Sequence, residues 1–218
     1  MSADFEGTDA PDLEFGNYNK MWGFGGNDSL TSNASFAYIY GGQGSDQAYY
    51  MGSGNSWIYG GGGADYLYGG NQNDRIFGGG GNDRIWGFDG NDKLKGGGGN
   101  DWMWGGLGKD TIWTGSGRDH VGFDSLPDGK PDRIKDFSPK KDFLNFVPSA
   151  YTVGLGLDTL PKSQFRYGKK AKDDDDHFGY DKKTGIVWYD PDGKGGESQM
   201  DVVKLDKGLS LTHVNIQF

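Results

Sequence analysis

The sequence predicts an all-β solenoid, and three observations predict it. A nine-residue unit recurs eleven times between Gly23 and Gly122. Its eighth position is apolar in every copy: Leu30, Ile39, Ala48, Ile58, Leu67, Ile76, Ile85, Leu94, Met103, Ile112 and Val121. The chain is poor in core-forming material, with 42 glycines in 218 residues and only 33% hydrophobic residues. Low hydrophobicity with a net charge of −9 also suits a disordered chain, but disorder carries no period. A solenoid stiffened by ligands accounts for both the period and the thin apolar content.

The elements follow in order. Residues 1–22 form an N-terminal cap (Phe5 to Leu13, with Gly7-Thr8-Asp9) and a degenerate repeat (Glu14 to Trp22). Solenoids need such atypical units to protect the last core layer. Copies then start at Gly23, Ser32, Gly41, Met51, Gly60, Gly69, Gly78, Gly87, Gly96, Gly105 and Thr114, with Tyr50 as a one-residue insertion. The cleanest copy runs from Gly78 to Trp86. Positions one to six form a turn, where glycine permits positive φ and close approach of the next coil. Positions seven to nine form a short strand whose middle residue faces inward.

Position six is Asp in nine of the eleven copies. Alternate copies fall on alternate edges. One edge carries Asp28, Asp46, Asp65, Asp83, Asp101 and Asp119. The other carries Asp74, Asp92 and Asp110, with Asn19, Ala37 and Ser56 upstream. Asp128 is the candidate to close that second column. A solvated acidic surface or a series of Asx-turns would not require an 18-residue recurrence.

This pattern resembles the GGxGxDxUx nonapeptide of the hemolysin-type, or repeats-in-toxin (RTX), family. The resemblance implies a right-handed parallel β-roll (β-solenoid) with a small, mainly antiparallel C-terminal cap. Two nonapeptides make one coil, and calcium sits between successive turns of one edge. Each ion takes Asp carboxylates and backbone carbonyls, as a hard cation prefers. The ligands so implied are Gly23, Gly25 and Asp28; Gly41, Gly42, Gln43, Gly44 and Asp46; and Gly60, Gly61, Gly62, Gly63 and Asp65. They continue with Gly69, Asn71 and Asp74; Gly78, Gly79, Gly80, Gly81 and Asp83; and Gly87, Phe88, Asp89, Gly90 and Asp92. They end with Gly96, Gly97, Gly98, Gly99 and Asp101; Gly106, Gly108 and Asp110; and Gly115, Gly117 and Asp119. Six aspartates bracket about five ions on one edge and three bracket about two on the other, giving about seven or eight Ca2+ if the second column is closed. The N-terminal half of the second edge is expected to be metal-free. Without calcium the aspartates repel and the thin core does not offset chain entropy, so folding and metal binding are expected to be one process.

Positions seven and nine point outward. Position nine supplies Tyr49, Tyr68, Trp86 and Trp104 on one sheet, and Tyr40, Tyr59, Phe77 and Trp113 around Lys95 on the other. Strand neighbours are about 4.8 Å apart. Two readings stand: cross-strand packing that stiffens the sheet, or a surface where aromatic rings meet an extracellular polysaccharide. The roll is also similar to the non-catalytic modules of bacterial alginate epimerases, a resemblance that lends the second some support.

Beyond Gly122 glycine thins and prolines appear, marking a capping region over 123–218. Asp132-Arg133-Ile134-Lys135-Asp136-Phe137 resembles the segment that closes many RTX rolls. Strands are predicted at Phe143–Val147, Phe165–Tyr167, Ile186–Tyr189, Val202–Leu205 and Val214–Phe218, with a hairpin turn at Lys182-Lys183-Thr184-Gly185. Asp173 to Asp176 is predicted to be a solvated loop, and Asp190-Pro191-Asp192-Gly193 only partly matches a calcium loop.

The composition narrows function. With no cysteine there is neither disulfide nor thiolate metal site. The acidic balance argues against nucleic acid, and no apolar run is long enough to span a membrane. No HExxH or GxSxG motif occurs, and His120, His177 and His213 are isolated, so no enzyme activity is expected. The first residues lack a Sec-type signal. Family resemblance then implies export by the type I secretion machinery through a C-terminal signal, with folding outside the cell. The expected function is a secreted calcium-binding module with a structural or adhesive role. A carbohydrate-binding module, or the RTX portion of a larger toxin, enzyme or surface-layer protein, are the alternatives.

Overall fold

The computed structural model describes residues 3–147, 150–151, 158–193 and 198–218. Two sheets lie face to face, and the repeat zigzags between them. The twelve-stranded sheet starts with Ala3–Glu6, Tyr18–Gly25, Ala37–Gln43, Ser56–Gly62, Arg75–Gly80, Lys93–Gly98, Thr111–Ser116 and Asp132–Ile134. The nine-stranded sheet starts with Leu13–Gly16, Ser29–Ser32, Gln47–Tyr50, Tyr66–Gly70, Arg84–Asp89, Trp102–Leu107, His120–Phe123 and Phe143–Phe146. All these neighbours pair in parallel, and position eight stays in register, as in Ile58 with Ile76 and Leu67 with Ile85. The fold is a parallel β-roll.

The core is one side chain thick on each sheet. All eleven position-eight residues are 0% exposed. The second inward position of each strand, the first of the repeat, is glycine in most copies (Ser32, Tyr50 and Thr114 are buried exceptions), so most coils bury only two larger side chains and the turns must supply the remaining cohesion.

The roll reaches further than the nonapeptides. Ala3–Glu6 and Leu13–Gly16 already pair in parallel with the next coil. At this end Glu14 occupies the core register opposite Leu30 and accepts a hydrogen bond from Tyr18 Oη at 2.6 Å. At the other end Asp132–Ile134 and Phe143–Phe146 continue the two sheets. The twelve-stranded sheet then runs through Met200–Lys204, Ile186–Tyr189, Phe178–Asp181 and Phe165–Tyr167, where the pairings on both sides of Ile186–Tyr189 are antiparallel. Ile216–Gln217 closes the nine-stranded sheet, shorter than predicted because His213–Asn215 is a 3-10 turn.

The cap is built differently from the roll. Its centre is aromatic: Phe146, Tyr151, Phe178, Trp188 and Tyr189 are all buried. Its hairpin turns through Gly185 at φ +83°, where a side chain would meet the carbonyl of Leu205. Asp181 holds that turn by accepting hydrogen bonds from the Lys183 N–H at 3.0 Å and Thr184 Oγ1 at 2.9 Å. These bonds draw its pKa below the ordinary carboxylate value. The acidic loop is not uniformly solvated. Asp173, Asp174 and Asp175 are exposed, but Asp176 is buried and pairs with Arg166 at 3.0 Å.

Candidate metal sites on the two edges

Each position-six aspartate is fixed by its neighbour one coil away. On the longer edge the backbone N–H of Asp28 donates to Asp46 Oδ1 at 2.8 Å, and the same bond links Asp46 to Asp65, Asp65 to Asp83, Asp83 to Asp101 and Asp101 to Asp119. On the shorter edge it links Ser56 to Asp74, Asp74 to Asp92 and Asp92 to Asp110. The coil-to-coil register therefore uses one oxygen of every carboxylate.

The other oxygen has no partner. Oδ2 of Asp28, Asp46, Asp65, Asp74, Asp83, Asp92, Asp101, Asp110 and Asp119 is buried and receives no hydrogen bond. A carboxylate oxygen left so is costly, because it gives up water and gains nothing. Its surroundings are oxygen-rich. A Cβ placed on Gly78 would meet Asp83 Oδ2 at 2.3 Å and the Gly96 carbonyl at 2.6 Å. Gly23, Gly41, Gly60, Gly69, Gly87 and Gly96 present the same pair of oxygens. The first glycine of the repeat thus leaves a cradle between a carboxylate and a carbonyl of the following coil. Acceptors without donors in a pocket of all-oxygen chemistry fit a hard divalent cation of the calcium type. They do not fit a thiolate- or imidazole-seeking metal. Among the described residues no three His, Cys, Asp or Glu side chains cluster around one point, so backbone oxygens must complete any such site.

Burial also moves the proton affinities. Desolvation raises Asp65 and Asp74 to about 7, Asp92 to about 8, and Asp83, Asp101, Asp110 and Asp119 to about 6. Each backbone N–H bond opposes the shift and is outweighed. A bound cation would reverse the balance by favouring the ionised form.

Three aspartates outside the nonapeptides join the columns. Asp12 donates its N–H to Asp28 Oδ1, Asp132 accepts from the Asp110 N–H at 2.8 Å, and Asp142 accepts from the Asp119 N–H at 3.2 Å. The sequence expectation that Asp128 closes the shorter column is corrected. The partner of Asp110 is Asp132, because the loop after Gly122 is longer than a repeat turn and delays the return of the chain. The closing segment carries the signal: Asp followed two residues later by a core-register residue, in Asp132-Arg133-Ile134 and again in Asp142-Phe143-Leu144. Both intervals depart from the nine-residue period.

The longer column ends on protein donors. Asp12 Oδ2 accepts the Thr8 N–H at 2.6 Å, and Asp142 Oδ2 accepts the Ser138 N–H at 2.7 Å and Thr114 Oγ1 at 3.4 Å. On the shorter edge, where Ala37 and Ser56 replace Asp, a tyrosine does the bridging. Tyr50, the inserted residue, donates its hydroxyl to the Ala34 carbonyl and accepts the Gly54 N–H, both at 3.0 Å. It thereby ties together two successive turns that lack carboxylates.

The aromatic columns form as the alternation requires, and the rings within them stack on one another. Tyr49–Tyr68, Tyr68–Trp86 and Trp86–Trp104 stack at 4.5, 4.7 and 4.9 Å with interplanar angles of 2–5°. Tyr40–Tyr59 and Tyr59–Phe77 do the same on the other sheet, and Lys95 lies over both Phe77 and Trp113. Parallel rings this close overlie one another, so interior rings such as Tyr59, Tyr68 and Trp86 have both faces against a neighbour. His120 is held likewise between Trp102 and Phe143, with Nδ1 2.9 Å from Asn145 Oδ1.

A periodic roll with carboxylates in register along its edges defines a class, the metal-binding β-solenoids. The model of the RTX calcium-binding nonapeptide repeat matches residues 22–49, 50–85 and 86–121, and this repeat array belongs to that family. A comparison with curated protein sequences finds no match. Among solved structures the chain is similar to the AlgE6R3 subunit of the Azotobacter vinelandii mannuronan C5-epimerase, with 25% identity, a TM-score of 0.45, and 68% of this chain and 79% of that one covered.

Proposed function

We propose that this chain is a secreted calcium-binding module whose roll folds on binding several Ca2+ ions outside the cell, with a structural or adhesive rather than catalytic role. One observation carries the reading: nine buried carboxylate oxygens, in register, with no donor. Leaving each unpaired costs about 1–3 kcal/mol or more. A core one residue thick has little with which to offset that. Extracellular calcium supplies the missing partner, and the much lower cytosolic level would leave the chain unfolded for export by a type I system. The ions would lie along the whole longer edge and along the shorter edge from Asp74 onward, with Tyr50 serving the Ala37 and Ser56 turns.

Circular dichroism during calcium titration of the chelated chain tests this. The expected outcome is a cooperative gain of β signal that reverses on chelation. A chelated chain with the spectrum of the calcium-loaded one would sink the coupling.

A second reading is an acidic extracellular polysaccharide held on the twelve-stranded sheet. Lys93, Lys109, Arg133, Lys135 and Lys204 line one groove there with Thr111 and Trp113, on a chain whose net charge is −9. The stacked position-nine rings are then the stiffener of the surface rather than its binding faces. Affinity electrophoresis through a polyuronate gel would show retardation relieved by salt and by a Lys93→Glu, Lys135→Glu double variant. Equal mobility in charged and neutral gels would exclude it.

A further inference from the structure

The outward faces of the two sheets differ in charge. On the twelve-stranded sheet the outward positions carry Lys20, Arg75, Lys93, Lys95 and Arg133. On the nine-stranded sheet the outward positions from Leu13 to Asn145 hold no Lys, Asp or Glu, in a chain with 31 acidic and 22 basic residues. Arg84 is the one cation there, and it lies over the Tyr66 ring at 5.2 Å. His120 stays neutral at pH 7, because burial between its neighbours draws its pKa below the ordinary 6.5.

What fills this uncharged face is aromatic and already ordered. The column from Tyr49 to Trp104 is stacked, and Trp102 continues it through His120 to Phe143. These rings are half-exposed, and at the N-terminal end Leu13 is 84% and Phe15 64% exposed. Rings locked by their neighbours lose little side-chain freedom when a partner covers them, which lowers the cost of association. Aromatic residues and Arg with few Lys, Glu or Asp are also the composition of protein–protein interfaces.

We infer that the outward face of the nine-stranded sheet is an interface between two copies of this chain, packed sheet on sheet about a two-fold axis. Charge selects the partner. Two copies meeting through their twelve-stranded faces would bring like charges together, whereas the nine-stranded face brings only Arg84, which already has a ring partner. Period selects it too. Stacked rings 4.5–4.9 Å apart make ridges across the face, and a second copy has the same spacing, so the ridges of one seat between those of the other. The dimer leaves both basic faces outward, on opposite sides. Each strand offers two outward residues, and the eight parallel strands from Leu13–Gly16 to Phe143–Phe146 fall short of the roughly 20–30 residues a side of a standard interface. Affinity is therefore expected to be micromolar rather than nanomolar.

Sedimentation velocity of the calcium-loaded full chain, from about 1 to about 300 μM, tests this. A monomer–dimer shift with concentration that survives about 0.5 M NaCl is expected, since little charge lies at the contact. A monomer throughout, or a dimer dissolved by salt, would overturn the inference. Trp86→Lys places an ammonium between Tyr68 and Trp104 as Lys95 lies between Phe77 and Trp113, an arrangement the roll already holds. It should weaken dimerisation about tenfold or more, by putting an unpaired charge into the contact. Gln47→Lys, at an exposed position outside the ring stack, should weaken it several-fold and keeps the test available should Trp86→Lys not fold. Lys93→Glu, on the opposite face, should leave the dimer unchanged. Dimerisation that ignores both face variants, or that falls equally with Lys93→Glu, would place the contact elsewhere and overturn the assignment.

Discussion

The two edges of the roll solve the same problem in different ways. Each must hold glycine-rich turns one above another where the core is too thin to do so. The longer edge uses an unbroken run of repeat aspartates from Asp28 to Asp119, every one with a buried oxygen lacking a partner. The shorter edge uses aspartates only from Asp74 onward. Above that, Ala37 and Ser56 remove the charge, and the Tyr50 hydroxyl bridges the Ala34 carbonyl and the Gly54 N–H. A hydroxyl carries donor and acceptor together and satisfies both turns without an ion. A carboxylate is acceptor only, and completing it takes a proton or a cation. The difference teaches that the turn geometry belongs to the roll, while the unpartnered oxygens, and with them the proposed need for calcium, belong to the carboxylates.

Several measurements would break or sharpen that contrast. The largest effect is expected from pH in chelator. Burial raises all nine repeat aspartates above the ordinary 3.8 that holds unfolded, seven of them to about 6 to 8. The folded metal-free chain therefore binds more protons than the unfolded one between these limits, and its stability falls as pH rises through them. Circular dichroism in chelator should show more β structure near pH 4.5 than at pH 8. The calcium-loaded chain should show the opposite trend, as protons displace the ion. Equal spectra at the two pH values in chelator would mean the column is not the source of the instability.

Next in size is a paired comparison of single variants. Asp83→Asn on the longer edge should destabilise the calcium-loaded chain by about 3 kcal/mol, because it removes one partner of a buried charge arrangement. In chelator the same substitution should be neutral or stabilising. Tyr50→Phe on the shorter edge should cost about 1–3 kcal/mol, since it strands the buried Ala34 carbonyl and the half-buried Gly54 N–H. That cost should be the same with and without calcium. Denaturant titrations of both variants in both conditions give the four numbers, and a calcium-dependent cost for Tyr50→Phe would remove the distinction between the edges.

The smallest effect concerns the second position of the turn. Phe24 and Phe88 stand there at φ +70° and +73°, where most copies carry glycine. A non-glycine residue in that region costs about 1–2 kcal/mol. Phe88→Gly should return part of this, a gain of about 1 kcal/mol, less whatever the exposed ring contributes against Tyr68 at 6.3 Å. A loss of stability instead would show that the ring contact outweighs the backbone strain.

Much of this was legible in the chain, and the reasons are local. Position eight could be assigned to the core because one inward residue per short strand leaves a period that nothing else produces. Position six could be assigned to the edges because two nonapeptides close a coil. The hairpin glycine at 185 and the strands Phe165–Tyr167 and Ile186–Tyr189 were likewise local facts. The limits of the roll were less legible. The turn Gly7–Asp12 and the returns through Asp132 and Asp142 lie outside the nine-residue frame, and spacing alone did not place them. The outward aromatics were placed on the right faces, but not their orientation. Whether a ring shows its face or its edge depends on the ring one coil away.

The sequence by itself therefore determined the coil, its core and the two carboxylate columns, because a repeat imposes the same neighbour on every copy. Only the tertiary structure decided where those columns stop and what closes them. Closure depends on residues brought together across irregular intervals: Thr8 to Asp12, Ser138 and Thr114 to Asp142, Tyr50 to Ala34 and Gly54, and Asp110 to Asp132. A period carries information about its interior; its ends are set by contacts that occur once.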